Sequence, residues 1–183
     1  MRQHNITDEV TSMAWYCLFC KAGQEQNVIR MLEERGAKPL APLAVQLRPG
    51  EKGMERVRRR LLPGYVFFEQ EDGPDWRGII RFSAVLKVLH YRDETPELRD
   101  QDLEFVRWLQ ANEGLIDVSE VVKEGTKIRF VSGPLLGMEG QVMKVNKGRR
   151  QVQINLGDGQ NLFQTIWCPI EYIRERREQE QEE

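Results

Sequence analysis

The chain has few of the residues that build metal, disulfide or catalytic sites. Its 183 residues include two histidines and three cysteines. An odd number of cysteines argues against a disulfide framework. Cys17 and Cys20 have the spacing of half a zinc knuckle, but no second pair exists, and positions i and i+3 of a strand point to opposite faces. Ordinary packing of buried thiols is therefore favoured over a metal or redox role.

Long apolar runs are also missing. No segment approaches the ~20 apolar residues of a membrane span, and the N-terminus has no apolar stretch after its basic start. His4 and His90 lie far apart, and no glycine-rich phosphate loop or nucleophile motif is present. These absences predict a cytoplasmic protein that has no membrane contact, is not an enzyme and needs neither a cofactor nor a metal.

The net charge of −2 conceals two basic segments. Residues 46–62 hold six basic and two acidic side chains, a net of +4, and residues 141–151 hold four basic side chains and no acid, also +4. Residues 171–183 hold six acids and three arginines, a net of −3. Because polyanion binding depends on local patches, the acidic overall charge does not exclude a nucleic-acid partner.

Apolar periodicity predicts an α+β first domain with a closing helix. The predicted strands cover residues 15–22, 42–49, 56–68 and 84–91. The predicted helices cover residues 24–36, a short segment at Trp76, and a closing helix that has Thr95 as its N-cap and extends through Gln110. The order β-α-β-β-α-β is the ferredoxin-like pattern, a four-stranded sheet with helices on one face.

Short β-rich runs between turns follow residue 124. They are KIRFV, GQVMKVN, RQVQINL, LFQTIW and EYI, and five such strands suggest a small SH3-like barrel. The sequence therefore predicts four segments, which are a first domain (14–112), a linker (113–123), a barrel (124–174) and a solvated acidic tail (175–183).

Two segments resemble a known family. WYCLFCKAGQEQNVIRMLEERG together with LLPGYVFFE resembles the N-terminal (NGN) domain of NusG-type transcription elongation factors, and VSGPLLGMEGQVMKV resembles the KOW motif of their second domain. The likeness covers roughly residues 14–174. The helix entry CKAGQ and the LAP at residues 40–42 are more similar to the specialised antiterminators of the RfaH and LoaP branches.

The resemblance implies a monomeric factor that docks on the clamp region of RNA polymerase. In the family a hydrophobic patch on the first domain binds the clamp helices, and by position it would comprise Phe19, Tyr65, Phe67 and Val88. Tyr65 and Phe67 share one strand face, while Phe68 lies on the other and is expected in the core. The alternative is that all four residues of the patch are core residues.

Strand alternation also orders the arginines of the first basic segment. Arg56, Arg58 and Arg60 share one face, with Arg48 and Lys52 nearby, and Arg59 lies on the other face with Val57 and Leu61. Such a row suits phosphate contacts, but arginines on exposed strands also protect sheet edges. The resemblance favours nucleic acid, because the family travels with polymerase beside DNA and emerging RNA.

The second basic segment is a turn between two predicted strands. It supplies further candidates for RNA contact, which are Lys144, Lys147, Arg149 and Arg150. Together these features predict an elongation or antitermination factor that is recruited through nucleic acid, either an RNA hairpin in a leader transcript or a DNA element. The alternative function is a general RNA-binding or ribosome-associated module without polymerase binding.

Overall fold

The computed structural model describes residues 13–173, and these form two compact units. The first unit comprises the residues up to Leu40 together with Gly64–Leu98. The second comprises Ala41–Pro63 and the residues from Arg99 onward. The predicted acidic tail, residues 175–183, lies outside the described residues.

Strands outnumber helices along the described chain. The first six elements are β1 (Met13–Cys20), α1 (Glu25–Glu33), β2 (Lys38–Leu40), β3 (Leu43–Gly50), β4 (Gly53–Arg60) and β5 (Tyr65–Glu71). The next five are α2 (Trp76–Ile80), β6 (Val85–Val88), α3 (Asp100–Ala111), β7 (Leu115–Ile116) and β8 (Ser119–Glu124). The last are β9 (Lys127–Ser132), a 3-10 turn (Glu139–Gln141), β10 (Val142–Asn146), β11 (Gln151–Asn155) and β12 (Thr165–Tyr172).

The first unit contains a four-stranded antiparallel sheet in the order β2-β5-β1-β6. With α1 and α2 this gives the predicted ferredoxin-like succession β-α-β-β-α-β. The strand predicted at residues 42–49 is confirmed as β3, and so is its hairpin pairing with the strand that follows, β4. Its expected place in this sheet is wrong, because the second strand here is Lys38–Leu40. The single strand expected over residues 56–68 is also wrong, because these residues fall in two strands, β4 and β5, which belong to different sheets.

Aromatic packing joins α2 to the central strands of the first unit. The ring centroids of Tyr16 and Phe68 lie 5.3 Å apart, and Trp76 meets Tyr16 edge-on at 5.2 Å. Phe68 has no exposed surface, as predicted for a core residue. Offset and edge-to-face ring pairs of this kind contribute about 0.5–1.5 kcal/mol beyond their buried area.

The second unit contains two sheets. One has the order β4-β3-β7, in which β3 and β4 form a hairpin and β7 lies parallel to β3. The other has the order β10-β11-β12-β8-β9, with β8 parallel to β12. The sequence placed β7 and most of β8 in a linker (113–123) and divided β12 into two strands (LFQTIW and EYI). The secondary structure differs on both points, because pairing with β3 and β12 makes strands of residues in the 113–123 segment that lack a local period, and β12 continues without a break from Thr165 to Tyr172.

The closing helix α3 begins later than predicted. Thr95 is not its N-cap, since the helix starts at Asp100 with Arg99 as the capping residue. The chain before it is held in place by other bonds, because the N–H of Leu98 donates to the carbonyl of Trp15 at 2.8 Å. No helix among residues 13–173 is long and apolar enough to cross a lipid bilayer.

Buried polar contacts link α3 to the five-stranded sheet. Asp102 is 1% exposed, and its carboxylate oxygens accept hydrogen bonds from the N–H groups of Leu162 and Phe163 at 2.9 and 3.1 Å. The indole N–H of Trp108 donates to the carbonyl of Pro134 at 3.2 Å. These bonds fix α3 and the segment before β12 in one arrangement.

Candidate functional site

A tight turn before β5 positions an aromatic pair on the first unit. Gly64 has φ +84°, and its N–H donates to the buried carboxylate of Glu25 at 2.9 Å. A Cβ at Gly64 would lie 2.7 Å from the Phe19 ring, so only glycine lets that ring lie against the turn. The ring centroids of Phe19 and Tyr65 are 5.0 Å apart.

The β1–β5 register decides which apolar candidates share a face. Phe19 pairs with Tyr65 and Cys17 pairs with Phe67, so Phe19, Tyr65 and Phe67 point the same way. Val88 pairs with Leu18 and therefore points to the opposite face. The structure thus brings three of the four candidates together and separates Val88 from them.

The three candidates on this face, Phe19, Tyr65 and Phe67, differ in their exposure to solvent. Phe19 and Tyr65 are half-buried and offer ring surface to a partner, whereas Phe67 is 0% exposed. The expectation that Phe67 lies in an exposed patch is therefore wrong for this structure. The accessible part of the predicted patch is the Phe19–Tyr65 pair.

The arginines lie on β4, an edge strand of the three-stranded sheet. Arg56 pairs with Leu47 and Arg58 with Val45, so the predicted row shares its face with two buried apolar residues that pack against Val118. This is the more apolar face of the hairpin, and the arginine row lies on its edge strand. The alternation predicted from the sequence is confirmed, but that face is partly used for packing.

Several of the predicted cations already have partners. Arg56 forms an ion pair with Asp117, Arg48 with Glu55 at 3.5 Å, and Arg60 donates to the carbonyl of Ala41 at 3.3 Å. Of the β4 arginines, Arg58 and Arg59 are exposed and have no ion pair with any residue in the described part of the chain, as is also true of Lys52.

Sequence reasoning overlooked Arg59. Arg59 pairs with Ala44 on the less apolar face, which also carries Arg48 and Glu55. Alternation places it correctly, yet only the packing of β3 shows that its face is the more open one. The alternation in the sequence does not tell which face of the hairpin is more exposed to solvent, and this was the missing information.

The second basic group lies at the β10–β11 turn. Lys144, Lys147 and Arg149 are exposed, and Arg150 forms an ion pair with Glu171 at 3.6 Å. The turn is well fixed, because Asn146 accepts from the N–H of Arg149 at 3.0 Å. The four predicted residues are thus brought together at one end of the five-stranded sheet.

The cysteines are placed for packing. Cys17, Cys20 and Cys168 are buried, and burial raises the pKa of the Cys168 thiol to about 12. Among residues 13–173, no group of three or more His, Cys, Asp and Glu side chains is arranged to hold a metal ion.

Comparisons with known proteins identify the family. A family model described as "Transcription termination factor nusG" matches residues 13–107. The chain belongs to the NusG family. It is 30% identical to the transcription termination/antitermination protein NusG of Thermus thermophilus, over 78% of this chain and 88% of that protein. It is 28% identical to the transcription elongation factor Spt5 of Acidianus ambivalens, over 87% of this chain and 92% of that protein.

A structural comparison found a NusG chain. The match is titled "Domain interaction in Thermotoga maritima NusG", with a TM-score of 0.48 and 18% identity, and it covers 86% of this chain and 94% of that one. The family match confirms the predicted NusG likeness, and the named relatives act in transcription elongation, termination and antitermination. Assignment to the RfaH or LoaP branch stays a prediction, as do the domain boundaries and the closed barrel.

Proposed function

We propose that the protein is an elongation or antitermination factor that docks on the RNA polymerase clamp and is recruited through nucleic acid. By analogy with its family it bridges the clamp and disfavours the paused state. The observation that carries the proposal is the partly exposed Phe19–Tyr65 pair beside the Gly64 turn, with its ring centroids 5.0 Å apart. Paired aromatics that keep part of their surface exposed are common anchors of protein interfaces.

The docking test compares Tyr65→Ala with Leu136→Ala, measured as affinity for purified RNA polymerase core. Leu136 is 61% exposed and lies in the second unit, so its variant controls for the loss of exposed apolar surface. Tyr65→Ala is expected to weaken binding at least tenfold, roughly the cost of an interface anchor. Equal affinities for the two variants would refute docking through the pair.

Phe67→Ala is a poor probe of the same interface. Phe67 is fully buried, so its truncation leaves a cavity that costs about 3–5 kcal/mol of stability. A loss of polymerase binding by Phe67→Ala would follow from unfolding as well as from the loss of an interface contact. Tyr65 is a better probe because part of its side chain is exposed.

Nucleic-acid contact is supported by the exposed cations of the β3–β4 hairpin and the β10–β11 turn. Arg58 and Arg59 point to opposite faces of an edge strand, so both sides of β4 carry a guanidinium. Protection of the sheet edge and binding of phosphate differ in the sign of the charge that they require at Arg58. Either charge sign discourages strand addition at an edge, whereas a phosphate is bound only by cations.

The test therefore replaces Arg58 with Glu and, as a control, with Lys. A salt-titrated gel shift would use the 5′ leader RNA of the protein's own transcription unit, duplex DNA and an unrelated hairpin. Phosphate contact predicts that Arg58→Glu weakens binding at least tenfold and flattens the salt slope, while Arg58→Lys changes both little. Unchanged nucleic-acid binding by Arg58→Glu would refute phosphate contact at Arg58 and leave edge protection as the role of this side chain.

The same measurements decide recruitment and the alternative function. Preference for the leader RNA supports specific recruitment, whereas equal affinity for all three nucleic acids refutes it and leaves electrostatics alone. RNA binding without any affinity for polymerase would support the alternative of a general RNA-binding module.

A further inference from the structure

A basic cleft lies on the five-stranded sheet of the second unit. Its volume is about 400 Å³, and it is lined by Lys123, Lys147, Arg150 and Tyr172. These residues come from β8, the β10–β11 turn and β12, so the sheet gathers cations that are distant in sequence. Lys123 and Tyr172 lie outside both basic segments of the sequence.

Two backbone hydrogen bonds fix Arg150 in the turn. Arg150 has φ +51°, its N–H donates to the carbonyl of Lys147 at 3.2 Å, and its carbonyl accepts from the N–H of Ile170 at 2.9 Å. The backbone that carries Lys147 and Arg150 is therefore held against β12, where Tyr172 lies. A cleft so supported needs little ordering when a ligand binds.

The charge of the cleft favours an anion. Lys123 and Lys147 are exposed and form no ion pair with any residue between 13 and 173. Arg150 is paired with Glu171 at 3.6 Å, with both side chains about 40% exposed (39% and 41%). The three cations and one carboxylate give a local charge of +2.

The aromatic ring selects among anions. Tyr172 is 37% exposed at the side of the cleft, so its ring can stack on a planar group while the cations hold a charged one. Cationic grooves with aromatic side chains are the usual design of sites for single-stranded nucleic acid. An acidic peptide would use the cations but not the ring, and a duplex hides the base faces within its stack.

We infer that this cleft binds one unpaired nucleotide of single-stranded RNA, with its base on Tyr172 and its phosphates at Lys123, Lys147 and Arg150. The inference rests on the nucleic-acid contact proposed above and deepens it. It gives the five-stranded sheet its own RNA site, separate from the β4 arginines on the three-stranded sheet. The cleft excludes paired RNA, so it binds unpaired nucleotides in loops and in the single strands beside a hairpin.

The experiment measures the affinity of the full chain for a fluorescent single-stranded octauridylate at several salt concentrations. Lys123→Gln is compared with Lys127→Gln, which removes an exposed lysine from β9 in the same sheet but outside the cleft. Lys123→Gln is expected to reduce the slope of log affinity against log salt by about 0.7, the value for one phosphate contact on a single strand. Equal slopes in the two variants would overturn the inference.

Three further variants test the ring and the ion pair. Tyr172→Ala is expected to weaken octauridylate binding by about 5- to 150-fold, the equivalent of one base–aromatic stack, while Tyr172→Phe retains binding. Glu171→Gln frees Arg150 and is expected to raise affinity by up to about fivefold, since an exposed ion pair is weak. A gain of this kind does not arise from misfolding. If Tyr172→Ala binds like the wild type, base stacking is refuted.

Competition distinguishes the occupants and separates this inference from the proposed function. Polyglutamate that displaces octauridylate as well as an RNA competitor of equal charge would show that the cleft takes an acidic peptide, which overturns the inference. If Arg58→Glu abolishes RNA binding and Lys123→Gln does not, only the cleft is refuted. If the wild-type chain binds no RNA, the nucleic-acid part of the proposed function fails with it, and polymerase affinity is judged separately.

Discussion

Replacing Gly64 with alanine should disturb the aromatic pair while leaving both aromatic residues in the sequence. The substitution places a Cβ 2.7 Å from the Phe19 ring and 3.1 Å from the carbonyl oxygen of Cys20. The Phe19 ring can swing outward, but the Cys20 carbonyl is backbone and has less freedom to move. We therefore expect the ring to leave its place against Tyr65.

The magnitude has two parts that a control variant separates. Alanine at φ +84° costs about 1–2 kcal/mol for the left-handed conformation, and the steric conflict adds about 1–3 kcal/mol. Gly23 has φ +78° in the same unit, and its Cβ would meet nothing within 4 Å. Gly23→Ala thus carries the first cost alone, and the two variants should differ by about 1–3 kcal/mol.

Amide hydrogen exchange at Cys20 is the local assay. The N–H of Cys20 donates to the carbonyl of Gly64 at 2.8 Å, so its opening free energy reports the turn itself. Gly64→Ala should also weaken polymerase binding, while Gly23→Ala leaves it intact. The reasoning is refuted if both variants lower protection equally and the Phe19–Tyr65 contacts in NMR spectra are unchanged.

Two other predictions concern buried groups of the second unit. Asp102→Ala removes the acceptor of two backbone N–H groups, so those amides, at Leu162 and Phe163, should exchange faster by about 1–3 kcal/mol of opening free energy; protection equal to the wild type would contradict this. Because burial raises the pKa of the Cys168 thiol to about 12, the protonated native state loses stability as pH rises above about 9, by roughly 1.4 kcal/mol per pH unit. Denaturation at pH 8 and pH 10 should show this loss in the wild type and a smaller one in Cys168→Val, and equal losses would contradict it.

Local patterns predicted the elements that depend on local interactions. The aromatic run of β1, the helix α1 that ends near Gly36 and the ferredoxin-like order were all readable, since each has its own period and its own turn residues. The family followed from motifs within these elements. Strand alternation also gave the correct faces to residues 56–60 of β4.

Failures came where order depends on distant partners. β8 was assigned to a linker because its strand character comes from parallel pairing with β12, about fifty residues away in sequence. Residues before α3 were assigned to its first turn, although Leu98 instead bonds to Trp15 of β1. Phe67 was expected at the surface because alternation gives the direction of a side chain but does not say whether other groups cover it.

The three candidate surfaces share one structural logic. In each of them a buried neighbour positions the group that would meet a partner. Gly64 sets the place of Phe19, and Val45 and Leu47 lie opposite Arg58 and Arg56 on the paired strand. The hydrogen bond from the N–H of Ile170 holds the turn that carries Arg150. Substitutions at these supports should therefore mimic the loss of a contact. A binding defect identifies a contact residue only when the exchange protection of its support is unchanged, because displacement of a rigid anchor and its removal weaken binding alike.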